Sequence, residues 1–289
     1  MKRNSFRQAA ATLPVDTITF SHNDKDGVGV GIIVKSINGR SADVTYCSYD
    51  NVDAKINERL DEIQKRYTDS LPFILIADLG IKPETAERLD KYGGGVLVLD
   101  HHKTNQSMAE KYPWFIVDES KCGTLQVYEH FATTTKMEEF ANVVDNYDRW
   151  LLTDPRAKKH NQLFFMRSFQ DTEDRYLNNP SADFTAEEKA VLDMEARRID
   201  RHFDRMEKVT ELFDLEDGNS IGIVYCDQYT SETGHELNKR LGTSALIMID
   251  PNGRKLSLRS VSDFDVSLVA KALGGGGHRQ SAGANFKGT

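Results

Sequence analysis

Short apolar runs in the first half of the chain alternate with longer polar stretches, a pattern typical of strands separated by helices. The strand candidates are residues 16–21, 28–35, 42–47, 72–77, 95–99 and 114–117. The run at 28–35 is also compatible with a helix. Between these runs, residues 54–67 place apolar side chains at helical spacing, and Pro83 stands where a helix can begin. The alternation predicts an α/β fold in which a mostly parallel sheet carries helices on both faces.

The pattern becomes helical before the midpoint of the chain and stays so for about eighty residues. Residues 123–150 are predicted to be helical, and residues 160–213 combine many charged side chains with interspersed Phe, Leu and Met. Thr185 precedes two glutamates at a typical helix start. We therefore predict an N-terminal domain over residues 1–150 and a helical connector over residues 151–216.

A second, smaller α/β domain is predicted over residues 217–289. Three of its segments have the composition of strands: 221–225, 245–249 and 255–259. The turn sequence Asp-Pro-Asn-Gly at 250–253 joins the last two as a hairpin. Residues 266–273 are expected to be helical and lead into a run of four glycines.

Three of the N-terminal strand candidates end in carboxylate and imidazole side chains. These side chains are His22, Asp24 and Asp26 after the first strand, Asp78 after the strand at 72–77, and Asp100, His101 and His102 after the strand at 95–99. Ligands bind at the carboxyl ends of the strands in open α/β sheets. A solvated histidine pair, or helix capping by Asp24 or Asp100, would explain single members of this set. Neither explains why three separate segments converge on one edge.

The chemistry of these side chains indicates a metal site. Carboxylate and imidazole ligands without thiolates suit Mn²⁺, Fe²⁺, Co²⁺ or Mg²⁺ better than a structural zinc. One ion needs about three or four protein ligands, and the larger candidate set fits two ions bridged by a carboxylate. Two-metal sites activate water and stabilise the entering and leaving oxygens of phosphoryl transfer. We therefore predict hydrolysis of a phosphodiester or phosphoanhydride.

Composition restricts the class of protein and of substrate. The chain has 289 residues, 39% of them hydrophobic and 28% charged, as in globular proteins, and no apolar stretch long enough to cross a membrane. Its three cysteines, Cys47, Cys122 and Cys226, are isolated, which predicts a reducing, cytoplasmic location. The net charge of −8 argues against tight binding along a long nucleic acid. An anionic substrate is therefore expected to be short.

The glycine run in the second domain is a candidate anion site. Glycines let backbone N–H groups approach a phosphate closely, and the adjoining His278 and Arg279 supply matching donors. A flexible linker is an equally good explanation of the glycines alone. Arg259 offers a second anion-binding group in the same domain, although an isolated arginine is more often a surface residue. Among the aromatic residues, Trp114, Phe115 and Trp150 fit a core better than base stacking.

Taken together, these motifs resemble those of the DHH phosphoesterase family with its DHH-associated C-terminal domain. His22-Asn23-Asp24-Lys25-Asp26-Gly27 is similar to the family's HxDxDG motif, Asp78 to its second motif, and Asp100-His101-His102 to the triplet that names it. Gly275-Gly276-Gly277-His278, Ser281-Ala282-Gly283 and Ser257-Leu258-Arg259-Ser260 resemble the C-terminal signature. The resemblance covers almost the whole chain.

The resemblance implies a role for each of these residues. One metal would be held by His22, Asp24 and Asp78, and the other by Asp26, Asp78, His101 and a fourth aspartate. That aspartate is Asp145 or Asp148, and we favour Asp145 because it follows an apolar run. His102 would face the scissile phosphate, with Asp100 orienting its neighbours. Arg259, Ser260, Gly276, Gly277, His278 and Arg279 would bind substrate.

The resemblance also implies a cofactor and a substrate class. Two divalent ions are expected, manganese first, with magnesium or cobalt as alternatives. The substrate would be a short oligonucleotide, RNA or single-stranded DNA, cut to mononucleotides. Alternatives are a cyclic dinucleotide, a nucleotide bisphosphate, and a catalytically idle nucleotide-binding module. No membrane partner is expected, and a homodimer is compatible with the sequence.

Overall fold

The computed structural model describes residues 12–67, 70–132, 135–261 and 263–286. The chain divides between Glu188 and Lys189 into two compact units. This division differs from the three parts predicted from the sequence, because the helical connector does not form a unit of its own. The functional boundaries at 1–150, 151–216 and 217–289 stay predictions.

A five-stranded sheet forms the centre of the first unit. Its strands are β1 (Thr17–His22), β2 (Asp43–Cys47), β3 (Phe73–Ala77), β4 (Val96–Asp100) and β5 (Phe115–Val117). They are all parallel and lie in the order β2-β1-β3-β4-β5. The order reverses between β1 and β3, the type of switch point at which ligands bind in such folds. The predicted parallel sheet is confirmed, and five of the six strand candidates form its strands.

The sixth candidate, residues 28–35, is helical. It lies in α1 (Lys25–Asn38), where every residue from Lys25 to Val34 is buried. A helix that is apolar on all sides is typical of a position inside a core. Its start is fixed by Asp24, whose side chain accepts a hydrogen bond from Gly27 N at 3.0 Å. The helical alternative for this run is therefore the correct one.

Helices cover both faces of the first sheet, as predicted. On one face lie α2 (Val52–Arg66), α3 (Pro83–Asp90) and α4 (Gln106–Lys111), packed against β-strand side chains such as Ile74, Ile76 and Val98. On the other face lie α1, α5 (Gly123–Val127) and α6 (Glu138–Asp148), packed against Leu75, Ala77 and Leu99. Alternate strand residues thus supply two separate cores, as a sheet buried on both sides requires.

The stretch predicted to be helical from 123 to 150 contains α5, a π-helical turn (Tyr128–Ala132) and α6. It is followed by α7 (Arg156–Phe165), α8 (Phe169–Asn178) and α9 (Ala186–Val209). The predicted start of α9 after Thr185 is confirmed. Thr185 Oγ1 accepts from Glu188 N at 3.2 Å, while Glu188 Oε2 accepts from Thr185 N at 2.9 Å. This reciprocal pair is a capping box.

The second unit contains a mixed six-stranded sheet. Its strands are β6 (Glu211–Asp214), β7 (Ser220–Tyr225), β8 (Ala245–Asp250), β9 (Lys255–Ser260), β10 (Gly276–His278) and β11 (Ser281–Asn285). They lie in the order β10-β11-β9-β8-β7-β6, with helices α10 (Thr230–Leu241) and α11 (Val266–Ala272). The predicted hairpin is the β8–β9 pair. Strand β6 falls inside the segment predicted to be a helical connector, and it pairs with β7.

Within the described ranges, each helix is too short or too polar to cross a bilayer.

Candidate metal centre

Asp78 lies at the centre of the site, directly after β3 at the switch point of the sheet. Asp78 is 2% exposed, and its backbone has a φ of +58°, which is uncommon for residues other than glycine, although Asn and Asp adopt it more readily than most. Gly123 allows this arrangement, since a Cβ there would lie 2.7 Å from Asp78 Cβ and 3.1 Å from Asp26 Oδ2. The strained backbone turns the carboxylate into the site, where functional strain is typically found.

A first group of possible ligands consists of His22, Asp24 and Asp78, whose ligand atoms lie within 4.8 Å of one another. His22 Nδ1 is 2.9 Å from Asp24 Oδ2 and 3.8 Å from Asp78 Oδ2. Both His22 Nδ1 and Asp78 Oδ2 are buried and have no hydrogen-bond partner of acceptable geometry. Buried polar atoms are normally satisfied, so two converging orphaned atoms fit a divalent cation between them.

A second group consists of Asp26, His101 and Asp148. His101 Nε2 lies 3.9 Å from Asp26 Oδ2, 3.5 Å from Asp148 Oδ2 and 3.2 Å from Asp78 Oδ1. The 1%-exposed Asp26 is held by backbone donors, because its carboxylate accepts from Gly123 N at 2.7 Å and Thr124 N at 2.8 Å. Asp78 therefore stands beside both groups, as a bridging ligand would.

Asp145 is not part of either group, contrary to the preference stated from the sequence. Its Oδ1 accepts a hydrogen bond from Cys122 N at 2.8 Å, and its Oδ2 lies 3.4 Å from Arg149 Nη1. Asp148, one turn further along α6, is the aspartate that faces His101. The geometry thus favours the alternative, Asp148, as the fourth-motif residue. Asp145 fixes the Cys122 backbone, whose next two amides hold Asp26.

Burial and charge repulsion raise the pKa of two of these carboxyl groups. Burial, together with Asp26, Asp24 and Asp148, holds the pKa of Asp78 well above its usual range. Burial and the charges of Asp26 and Asp24 raise the pKa of Asp148 to about 8. Burial opposes ionisation of Asp24 as well, but the His22 ring and Gly27 N outweigh it and keep its pKa low. Carboxylates forced together in this way are stabilised by a cation among them.

His102 is oriented by the buried carboxylate of Asp100. The His102 Nδ1–Asp100 Oδ1 distance is 2.7 Å, and Asn105 Nδ2 donates to Asp100 Oδ2 at 2.5 Å. The hydrogen bond to Asp100 raises the pKa of His102, whereas burial lowers the pKa of His101. A neutral His101 suits metal ligation, and a more basic His102 suits proton transfer. His102 also lies within ligand distance of Asp78 and His101 in a third group.

Tyr49 is a site residue that the sequence reasoning missed. Its hydroxyl is 3.1 Å from His102 Nε2, and its ring centroid is 4.6 Å from that of His22. Tyr49 follows β2 by two residues, so it lies at the same edge as the other strand-end side chains. Burial and the nearby aspartates raise the pKa of the Tyr49 phenol. Its position just after β2 could have identified it from the sequence, but tyrosine is not a usual metal ligand.

In the second unit, the candidate substrate-binding residues differ in their surroundings. Arg259 Nη2 donates to Ser231 Oγ at 3.1 Å, and Ser260 Oγ donates to Ser244 O at 2.9 Å. His278 and Arg279 are exposed near the turn of the β10–β11 hairpin.

Gly276 and Gly277 lie in β10 itself. Gly277 has a φ of +139°, and a Cβ there would meet Ala282 Cα at 2.5 Å, so close strand pairing requires this glycine. The glycines are therefore part of a hairpin and not a flexible linker. The phosphate-binding role of the candidate residues in this unit stays a prediction.

The raised pKa values predict how pH acts on the metal-free protein. The folded-state pKa of Asp148, about 8, lies above its usual 3.8, so its contribution to stability is present at low pH and is lost as pH rises to about 8. We expect the Tm in EDTA to fall as pH rises from about 6 to about 8, with no further fall from this group above its folded-state pKa. Added Mn²⁺ should raise Tm more at the higher pH, because ligation replaces bound protons.

Differential scanning fluorimetry across this range measures both effects. Asp148→Asn provides the control, since its metal-free Tm should depend less on pH. A Tm in EDTA that rises between about pH 6 and about pH 8 would contradict the carboxylate clustering.

Comparison with known proteins agrees with this geometry. The chain is 30% identical to the oligoribonuclease NrnB of Bacillus subtilis over 92% of its own length and 72% of that protein. It is 30% identical to a 3′,5′-cyclic-nucleotide phosphodiesterase of Helicobacter pylori over 45% of its length and 42% of that protein. No family model matches the sequence.

Among solved structures, the pGpG-specific phosphodiesterase PggH of Vibrio cholerae has the same fold. It aligns with a TM-score of 0.56 and 13% identity, over 93% of this chain and 92% of that one. At this identity the likeness concerns the fold alone. The sequence relationship to NrnB extends over 92% of the chain, and we conclude that the chain belongs to the DHH phosphoesterase family, a family of metal-dependent hydrolases of phosphate esters.

Proposed function

We propose that the protein hydrolyses short oligonucleotides to mononucleotides with the help of two divalent cations. The observation that carries the proposal is the convergence of two possible ligand groups on the shared carboxylate of Asp78. The similarity to an oligoribonuclease supports the substrate class. The acidic net charge of −8 supports a short substrate, which has few phosphates to neutralise.

In this proposal, His22, Asp24 and Asp78 hold one ion, and Asp26, Asp78, His101 and Asp148 hold the other. Manganese is the expected metal, with magnesium or cobalt as alternatives, because oxygen and imidazole ligands suit all three. When bound, such ions supply an activated water and neutralise charge on the phosphoryl oxygens. The backbone donors of Gly123 and Thr124 keep Asp26 in place before any ion arrives.

The proton for the leaving oxygen comes from His102. Asp100 holds the Nδ1 side of the ring and keeps the Nε2 side towards Tyr49 and solvent. As the P–O bond breaks, Nε2 donates its proton to the departing ribose oxygen, and the raised pKa of His102 favours the protonated state needed for this transfer. Asp100 itself stays ionised, since His102 and Asn105 outweigh its burial and lower its pKa.

The test compares initial rates on three substrates with Mn²⁺: a dinucleotide, a cyclic dinucleotide and a nucleotide 3′,5′-bisphosphate. We expect the highest kcat/KM for the dinucleotide, with mononucleotides as the only products. Asp78→Asn protein, prepared identically, excludes a contaminating nuclease. A clear preference for one of the other two substrates would assign the site to that substrate instead, and binding without turnover of any would indicate an idle nucleotide-binding module.

A further inference from the structure

Trp150 is exposed beside the metal centre, where the sequence pattern had suggested a core position. It is 52% exposed, whereas Trp114 and Phe115 are buried as expected. Trp150 follows the possible ligand Asp148 by two residues, so their Cα atoms lie at most about 7.6 Å apart. A large aromatic side chain left in solvent this close to a reaction centre is a feature that packing does not explain.

The backbone around Trp150 is strained in a way that keeps the side chain exposed. Trp150 has a φ of +56° and Leu152 a φ of +53°, both unfavourable for bulky residues. Asn146 holds this turn, because its backbone oxygen accepts from Leu151 N at 3.0 Å and its Oδ1 accepts from Asp154 N at 3.0 Å. Strain of this kind persists where it serves a function.

Two side chains next to the Trp150 ring make it suitable for binding a nucleotide. Lys158 Nζ lies 5.5 Å from the ring centroid, and the Tyr147 ring meets it edge-on at 5.5 Å. An exposed indole face offers stacking to any nucleobase, and an adjacent ammonium offers a charge to the phosphate that follows. Tyr147, the residue before the possible ligand Asp148, thus packs against the indole.

We infer that Trp150 and Lys158 form a base-stacking subsite for the nucleotide next to the scissile phosphate. This inference rests on the proposed function, because it concerns the substrate of the same site. Stacking ignores base identity, so the subsite selects nucleotides over simple phosphate esters without selecting a sequence. It also favours a single-stranded end, since a paired base is already stacked in its duplex.

The kinetic test measures kcat/KM for a dinucleotide and for its abasic analogue, a diester with the same sugar-phosphate backbone but without the bases. For Trp150→Ala, the ratio of the two should fall by about 5- to 150-fold, mainly through KM for the dinucleotide. Trp150→Phe, which keeps a ring, should restore most of the ratio. Leu151→Ala, an exposed apolar neighbour, is the matched control and should leave the ratio as in the wild type. An unchanged ratio for Trp150→Ala would overturn the inference.

A binding test separates this inference from the proposed function. The chain has two tryptophans, so a nucleoside 5′-monophosphate in EDTA should quench wild-type fluorescence but not that of Trp150→Phe, which retains only Trp114. Quenching without dinucleotide hydrolysis would overturn the proposed function and keep the subsite. Hydrolysis without quenching would overturn the subsite and keep the proposed function. A change of oligomeric state in Trp150→Ala, with the kinetic ratio unchanged, would assign the exposed ring to self-association.

Discussion

Asp78→Asn is expected to lower kcat/KM for a dinucleotide by about 10³-fold or more while the protein stays folded. Asparagine has the same shape and tolerates the left-handed backbone at this position, where φ is +58°. What it lacks is the charge through which Asp78 would bridge two cations. The loss should therefore appear in turnover and in metal affinity, not in the fold.

The same substitution should stabilise the metal-free protein. Removing one buried carboxyl from beside Asp26, Asp24 and Asp148 relieves the repulsion that raises its pKa. Thermal unfolding by circular dichroism in EDTA should show a Tm above that of the wild type, and Mn²⁺ should no longer raise it. Asp61→Asn, an exposed aspartate paired with Arg88 on the same unit, is the control and should change neither quantity. Near-normal activity of Asp78→Asn would refute the two-metal assignment.

Asp148→Asn and Asp145→Asn are expected to differ sharply although they lie three residues apart. Asp148 faces His101, so its loss should remove a metal ligand and lower kcat/KM by about 10²- to 10³-fold. Asn at position 145 can still accept the hydrogen bond from Cys122 N, so that variant should stay within about tenfold of the wild type. Each protein is the other's matched control, since the chemical change is identical.

Calorimetric titration with Mn²⁺ gives the second readout for this pair. Wild type and Asp145→Asn should bind the same number of ions, and Asp148→Asn should lose one or bind it more weakly. If Asp145→Asn is the variant that loses the ion, the residue favoured from the sequence is the ligand after all.

Much of the fold and site could be predicted from local sequence. The strands ending at His22, Asp78 and Asp100 are short apolar runs, and parallel strands bring their carboxyl ends to one edge whatever the loops do. Asp24, Asp26, His101 and His102 lie at the same edge because they follow these strand ends closely in the sequence.

The structure differs from the favoured expectations where a side chain's direction depends on tertiary contacts. Asp145 follows an apolar run and is indeed buried, but burial directed it to the Cys122 backbone and not to the site. Trp150 was expected in the core because large aromatic residues are usually buried. The sequence does not reveal the positive φ of the turn in which Trp150 lies. Residues 28–35 form a helix surrounded by other elements, and such a helix has the same apolar run as a buried strand.

The possible ligands come from four separate segments of the first unit, from His22 to Asp148. A ribosome must therefore synthesise the chain through Asp148 before this site can exist, and a chain broken between His22 and Asp148 must hold its pieces together to keep the site. Under the proposed function, shorter nascent chains and separated proteolytic fragments would therefore be inactive. Hydrolytic activity, once confirmed, would report in a single assay that the four segments from His22 to Asp148 have come together.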